Sequence, residues 1–256
     1  MAKVNAPFTI TGTLDDLNFY DSADGNIVRM RGKSGVTKEQ FAANPIFDRI
    51  RQQGSDFGLC SKKSKVFKLL VQPFYKHSQG TSLFGRCIQL LLAVLNADDQ
   101  NETGSRHIED GLKTETGLDF LVGFEGNTSR PLPAVLSKKI HFDWDMFELN
   151  LKTFDPLTDI LWPETATQVS MQLAIANWDC IEDRYETSYS NPLIFEKKLG
   201  EHSLTFDLIP PIEKQLWLCF IHLKFSYTLY NKEKVLHNRF NTTTLIGYRS
   251  FLVIEL

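Results

Sequence analysis

The chain has 256 residues, of which 42% are hydrophobic, 12% aromatic and 23% charged, with a formal net charge of −3. That composition excludes a disordered chain, which needs fewer apolar residues and more net charge, and describes a globular protein able to bury a sizeable core. Four cysteines are too few for a disulfide scaffold, and the near-neutral balance gives no whole-chain attraction to nucleic acid or membrane.

The amino terminus, Met1-Ala-Lys-Val-Asn-Ala-Pro-Phe, lacks the apolar stretch and cleavage pattern of a secretory signal. The strongest apolar run, Ile88 to Leu95, falls far short of the roughly 20 residues a membrane span needs. Cys60, Cys87, Cys180 and Cys219 form no C-x-x-C pair, so reduced, mostly buried thiols in a cytoplasmic protein are expected.

In chain order, the first 36 residues read as extended. Phe8 to Leu14 alternates apolar with small polar residues, and Leu17 to Arg31 reads as a hairpin turned by Asp24-Gly25. Thr37-Lys-Glu-Gln40 has the form of a helix-opening capping box, followed by Phe41, Ile46, Phe47 and Ile50 on one face. Pro45 is expected to start a second helix after Asn44, and Gly54 to stop it. Further helices are expected from about Asp56 to near Pro73, from Ser82 to Asn96 and from Arg106 to Leu112, with a strand at Phe120 to Phe124. The segment Gly126 to Pro133 reads as a linker, dividing residues 1–125 from 134–256.

Beyond it the apolar period becomes two. Ile140, Phe142, Trp144 and Met146 share one parity, and Phe147, Leu149 and Leu151 the other, which suggests a β-bulge or change of sheet. Val169 to Ile175, Leu204 to Leu208 and Ile246 to Ile254 read as strands. The longest signal places Trp217, Cys219, Ile221, Leu223, Phe225, Tyr227 and Leu229 on one face. Its even positions begin apolar (Leu216, Leu218, Phe220) and turn polar (His222, Lys224), so one end should be covered on both faces. The fold class expected is α+β: a hairpin and helical layer, then an antiparallel β-sandwich.

Motifs for chemistry are sparse. Gly32-Lys33-Ser34 resembles the end of a phosphate loop, but Ile27 stands where the first glycine belongs. No dinucleotide fingerprint, nucleophile elbow or zinc helix is present, and no pair among the six histidines has metal-ligand spacing. Asp143 and Asp145, with Glu148 nearby, could form a sugar-cleaving carboxylate pair or a calcium site, a solvated face being the alternative; Asp155, Asp159 and Glu164 crowd a loop where calcium binding and loop capping are the two readings. No catalytic residue, cofactor site or metal site is assigned, and the chain is read as a non-enzyme.

Residues 29–68 carry ten Lys+Arg and three acids. Within them Arg49, Arg51, Lys62, Lys63 and Lys65 form a basic patch that could dock an acidic protein surface or, less readily, nucleic acid.

The segments Thr11-Gly-Thr-Leu-Asp-Asp-Leu-Asn-Phe-Tyr and Asn26-Ile-Val-Arg-Met-Arg-Gly-Lys, with Phe47-Asp-Arg-Ile-Arg and Ser55-Asp-Phe-Gly, resemble the amino terminus of a group of uncharacterised bacterial and prophage-associated proteins. The likeness spans about residues 8–60 and implies no catalytic residue. It implies a role in a phage-like or secreted particle.

The function expected is a structural subunit, cytoplasmic or built into a particle there, that binds copies of itself or other subunits. An extended arm, Val4 to Thr13 anchored by Phe8 and Ile10, would add a strand to a neighbour's sheet. The alternatives are a glycan- or peptide-binding module using Trp144, Trp162 and Trp178 as a stacking surface, and nucleic-acid binding through the basic patch.

Overall fold

The computed structural model describes residues 2–22, 25–32, 35–80, 82–151, 153–202, 204–230 and 232–252. The chain is α+β, with antiparallel sheets and short helices, and falls into two compact units, residues 1–49 and 50–256. The division lies at the start of a long helix, not at residues 126–133.

In the first unit, β1 (Ala2–Lys3), β2 (Gly12–Leu14), β3 (Leu17–Ser22) and β4 (Gly25–Met30) form a sheet of order β1-β4-β3-β2. The expected hairpin is β3–β4, with Leu17 opposite Met30 and Ser22 opposite Gly25. Asp24 of its expected turn lies outside the described residues, as do Lys33 and Ser34 of the phosphate-loop resemblance. Helix α1 (Lys38–Ala43) opens on the expected capping box: the Gln40 N–H donates to Thr37 Oγ1 at 3.2 Å, and the Thr37 N–H to Gln40 Oε1 at 3.0 Å. Pro45 then opens a single 3₁₀ turn, Pro45–Phe47, capped by Asn44.

Helix α2 (Asp48–Leu69) is continuous, so neither the stop at Gly54 nor a new start at Asp56 occurs. A glycine ends a helix by taking left-handed backbone, which Gly54 does not adopt. Pro73 does not end a helix either; it sits in the first turn of α3 (Gln72–Ser78), where a missing N–H costs nothing. Helix α4 (Leu83–Asn96) matches expectation and buries Leu91, Val94 and Leu95 completely. Two short helices follow, α5 (Ile108–Gly111) and α6 (Glu115–Asp119). The strand expected at 120–124 is absent: α6, capped by Thr114, turns directly toward an isolated bridge between Glu125 and Thr244.

The expected linker is part of the packed body. Gly126 lies where an added Cβ would stand 2.9 Å from Tyr75, and its N–H donates to the Thr243 carbonyl at 2.7 Å. The buried Asn127 amide donates to the carbonyls of Asn238, Arg239 and Asn241. Turn-forming residues suggest slack in the sequence, whereas the partners that fix them lie more than 100 positions away.

After α7 (Leu132–Val135) comes a small hairpin, β5 (His141–Asp143) with β6 (Glu148–Asn150). The parity slip at Met146-Phe147 is therefore a hairpin turn, with Phe147 in left-handed backbone at φ 53, and not a bulge. Helix α8 (Pro156–Asp159) precedes the main sheet: β7 (Gln168–Asp179), β8 (Arg184–Tyr189), β9 (Leu193–Glu196), β10 (Leu216–Leu229), β11 (Lys232–Val235) and β12 (Thr242–Ser250). Strands β7 and β10 form its centre, paired antiparallel from Trp217–Asn177 to Ser226–Gln168. Strands β12 and β11 share the free edge of β10, and β8 and β9 that of β7.

The two parities of β10 feed different cores. Leu216, Leu218 and Phe220, with Ala174, Ala176 and Trp178 of β7, pack against α2, α3 and α4. Trp217, Cys219, Ile221, Leu223 and Phe225, with Val169, Met171, Leu173 and Ile175, pack beneath the β5–β6 hairpin and the loops carrying Phe154, Leu204 and Phe206. The second unit is thus built on a six-stranded sheet between a helical layer and a layer of loops and the two-stranded β5–β6 sheet, without a second large sheet among its described residues. Residues 204–208 alternate buried and exposed as expected but pair with no strand, because irregular chain covers the core there.

Candidate functional site

The leading segment is not a free arm. Ala2 and Lys3 pair with Val28 and Ile27 of β4, and the Val4 N–H donates to the Asn26 carbonyl at 2.8 Å. The Asn26 side chain then grips Ile10 twice, accepting from its N–H at 3.3 Å and donating to its carbonyl at 2.7 Å. Ile10 is half-buried, while Phe8 is 67% exposed. Of the two expected anchors, one is used within the chain and one projects.

Within the first unit, one face of the sheet these residues belong to carries an apolar row that the unit itself does not bury. Cross-strand register sets Leu14 opposite Leu17 and Leu17 opposite Met30, a single row on one face. Phe19 and Val28 form the next row on that face, whereas Tyr20, Asn18 and Arg29 lie on the other, with the Arg29 guanidinium over the Tyr20 ring at 5.3 Å. Leu14 is 69% and Met30 68% exposed. Among the described residues of the first unit none is buried. Strands of this kind normally gain their stability by covering one face, and a two-to-four-stranded sheet without that cover is marginal in water. Residues 1–49 carry six Lys+Arg and six Asp+Glu, so two such units would not repel each other.

The basic patch does not survive as a unit. Arg49, Arg51, Lys62, Lys63 and Lys65 all lie on α2, but Lys63 is only 8% exposed. Its ammonium donates to the carbonyls of Cys180 and Ile181 and pairs with Asp183 Oδ1 at 2.8 Å, so it serves to tie α2 to the β7–β8 turn. Lys62 and Lys65 remain exposed. Helical rotation had placed a structural lysine between two solvated ones, and sequence spacing alone cannot separate them.

The other expected candidates have structural roles. Asp143 accepts from the N–H groups of Met146 and Asp145, which hold its carboxyl below the usual range, and Asp145 meets Arg249. Asp155 caps α8, and Asp159 pairs with Lys138 at 2.8 Å. Trp178 is fully buried, and Trp162 is half-buried with its indole N–H on the Pro156 carbonyl, so the tryptophans form no common stacking surface. All four cysteines are buried and unpaired; burial pushes the Cys60, Cys87 and Cys180 thiols up to about 12, which leaves no reactive thiolate. No described helix is long and apolar enough to cross a membrane.

A concave site that motif reasoning missed lies in the second unit, where α3 overhangs the β7–β10 pair. Register places His222 opposite Gln172 and Lys224 opposite Ser170, and Lys68, Lys76 and His77 come from the helices above. The signal in the sequence was the turn from apolar to polar on the even face of β10. Without the partner strand and α3 it reads as ordinary solvent exposure. No family model, curated protein or solved structure gives a significant match to this chain.

Proposed function

We propose that the chain is a non-enzymatic subunit that associates with a second copy of itself through the amino-terminal sheet. The observation that carries this is the uncovered row Leu14, Leu17 and Met30 in a unit without any buried described residue. Two such faces packed against each other at the usual sheet spacing of about 10 Å would form the sandwich core that neither has alone. The contact is self-complementary, as a two-fold dimer requires, and the balanced charge of residues 1–49 favours a like partner over a strongly charged one. This differs from a strand-adding arm in using the face of the sheet, since the arm is already tied to Asn26. Association within a phage-like particle or filament in the cytoplasm would be in keeping with the resemblance of residues 8–60.

Sedimentation velocity of the full chain tests it. The wild-type chain is expected to run as a dimer, and the Leu14→Lys, Met30→Lys variant as a monomer, because each face then carries charges that burial would strand. A wild-type chain that stays monomeric at tens of micromolar, or a variant of unchanged mass, contradicts the reading.

A further inference from the structure

The cleft under α3 encloses about 690 Å³, within the range of small-molecule sites, and its lining includes three lysines and two histidines but no carboxylate. Its floor is two neighbouring rungs of the β7–β10 ladder, His222–Gln172 and Lys224–Ser170. The Gln172 amide is fixed by donating to the Ser190 carbonyl at 2.7 Å. His222 is fixed as well: its ring stacks on Phe74 with centroids 4.7 Å apart, and its Nδ1 lies 2.8 Å from Thr243 Oγ1 and 2.9 Å from the Thr242 carbonyl, which can only accept, so Nδ1 carries the hydrogen. That bond leaves Nε2 as a bare acceptor, and Nε2 is buried without a partner among the described residues. Lys68, Lys76 and Lys224 make no ion pair among the described residues, although they gather around one concavity. His77 lies near two of them: burial lowers it, and the charges of Lys224 and Lys76 lower it further.

Like charges that converge without a counter-charge repel, and an anion in their midst removes that repulsion. We infer that the cleft binds a phosphorylated small molecule, whose phosphate sits among Lys68, Lys76 and Lys224 and whose own O–H or N–H donates to His222 Nε2. Phosphate suits the cation set because its terminal oxygens each take an ammonium donor, and lysine serves phosphate as a point charge. The unpartnered acceptor belongs to a ring that lines the cleft and favours a donor on the same molecule, so a sugar phosphate or a nucleoside monophosphate fits better than a bare anion. This inference is independent of the association of the first unit, since every residue it uses lies beyond Arg49.

Isothermal titration of the full chain with glucose 6-phosphate, AMP, inorganic phosphate and glucose tests it. Binding of at least one phosphorylated organic probe is expected, tighter than inorganic phosphate, with none for glucose. Which of the two organic probes binds tighter distinguishes a sugar from a nucleoside ligand. Lys76→Met and Lys224→Met are each expected to weaken that probe about tenfold, the loss of one charge-assisted hydrogen bond. Lys76 is exposed and Lys224 half-buried, so both changes spare the core. No heat with any phosphorylated probe, or binding that neither Lys76→Met nor Lys224→Met diminishes, overturns the inference.

Discussion

Replacing Gly111 with alanine is expected to destabilise the second unit by about 3 kcal/mol, although alanine is the better helix former. The reason is where α5 meets α4. A Cβ at Gly111 would stand 2.1 Å from the Val94 carbonyl oxygen, and one at Gly117 would stand 2.0 Å from the Gly111 carbonyl oxygen. Both obstacles are backbone, which cannot swing aside as a flexible side chain would. The α4 backbone cannot retreat without disturbing Val94 and Leu95, which are completely buried. Helix propensity contributes about 1 kcal/mol in the opposite direction and is outweighed. Gly54, inside α2 with nothing within 4 Å of an added Cβ, isolates that smaller effect: Gly54→Ala should stabilise, by up to about 1 kcal/mol. Urea unfolding of the two variants checks the contrast. Equal midpoints, or a stabilised Gly111→Ala chain, would mean that α5 has room the geometry denies.

A second large effect concerns acid. His222 is buried and held well below the ordinary histidine range, at about 3, chiefly by loss of hydration. The Thr242 carbonyl opposes that shift and the charges of His77 and Lys224 add to it. A base with a lowered folded-state value takes up its proton on unfolding, so the folded chain is favoured above the unfolded value near 6.5 and loses stability as pH falls below it. Between pH 7 and pH 5 the loss attributable to this one ring is about 2 kcal/mol, from 1.36 kcal/mol per pH unit below the unfolded value. That window lies above the range in which ordinary carboxylates titrate, so their protonation adds little to it. Unfolding free energies of the wild-type chain and His222→Gln at pH 7 and pH 5 test this. The variant should be less stable at pH 7 yet lose about 2 kcal/mol less on acidification. Parallel losses in the two proteins would contradict it.

Local signals in the sequence carried far. Residues 37–40 announced a helix start because the capping box is a bond between neighbours. The double parity of β10 announced a strand buried on both faces over its first half because burial follows the pleat directly. Two of the failures share one cause. Gly126 and Asn127 look like a linker and Lys63 like surface charge, and in both cases the partner that decides the matter lies far along the chain, whereas residues 120–124 look like a strand but continue the turns that follow α6. The open face of the first sheet was invisible for the opposite reason. Its residues alternate as a half-buried sheet should, and only the structure shows that no described residue of the first unit is buried. The cleft required two strands and α3 to assemble before its cations faced one space.

Hydrogen–deuterium exchange of β2, β3 and β4, measured at two protein concentrations a hundredfold apart, addresses the self-association most directly. If a second copy covers the row Leu14, Leu17 and Met30, these amides exchange slowly in the concentrated sample and quickly in the dilute one, while β7 and β10 stay protected in both. Protection of β2 to β4 that is unaffected by dilution would contradict the account, because the covering surface would then belong to the same chain.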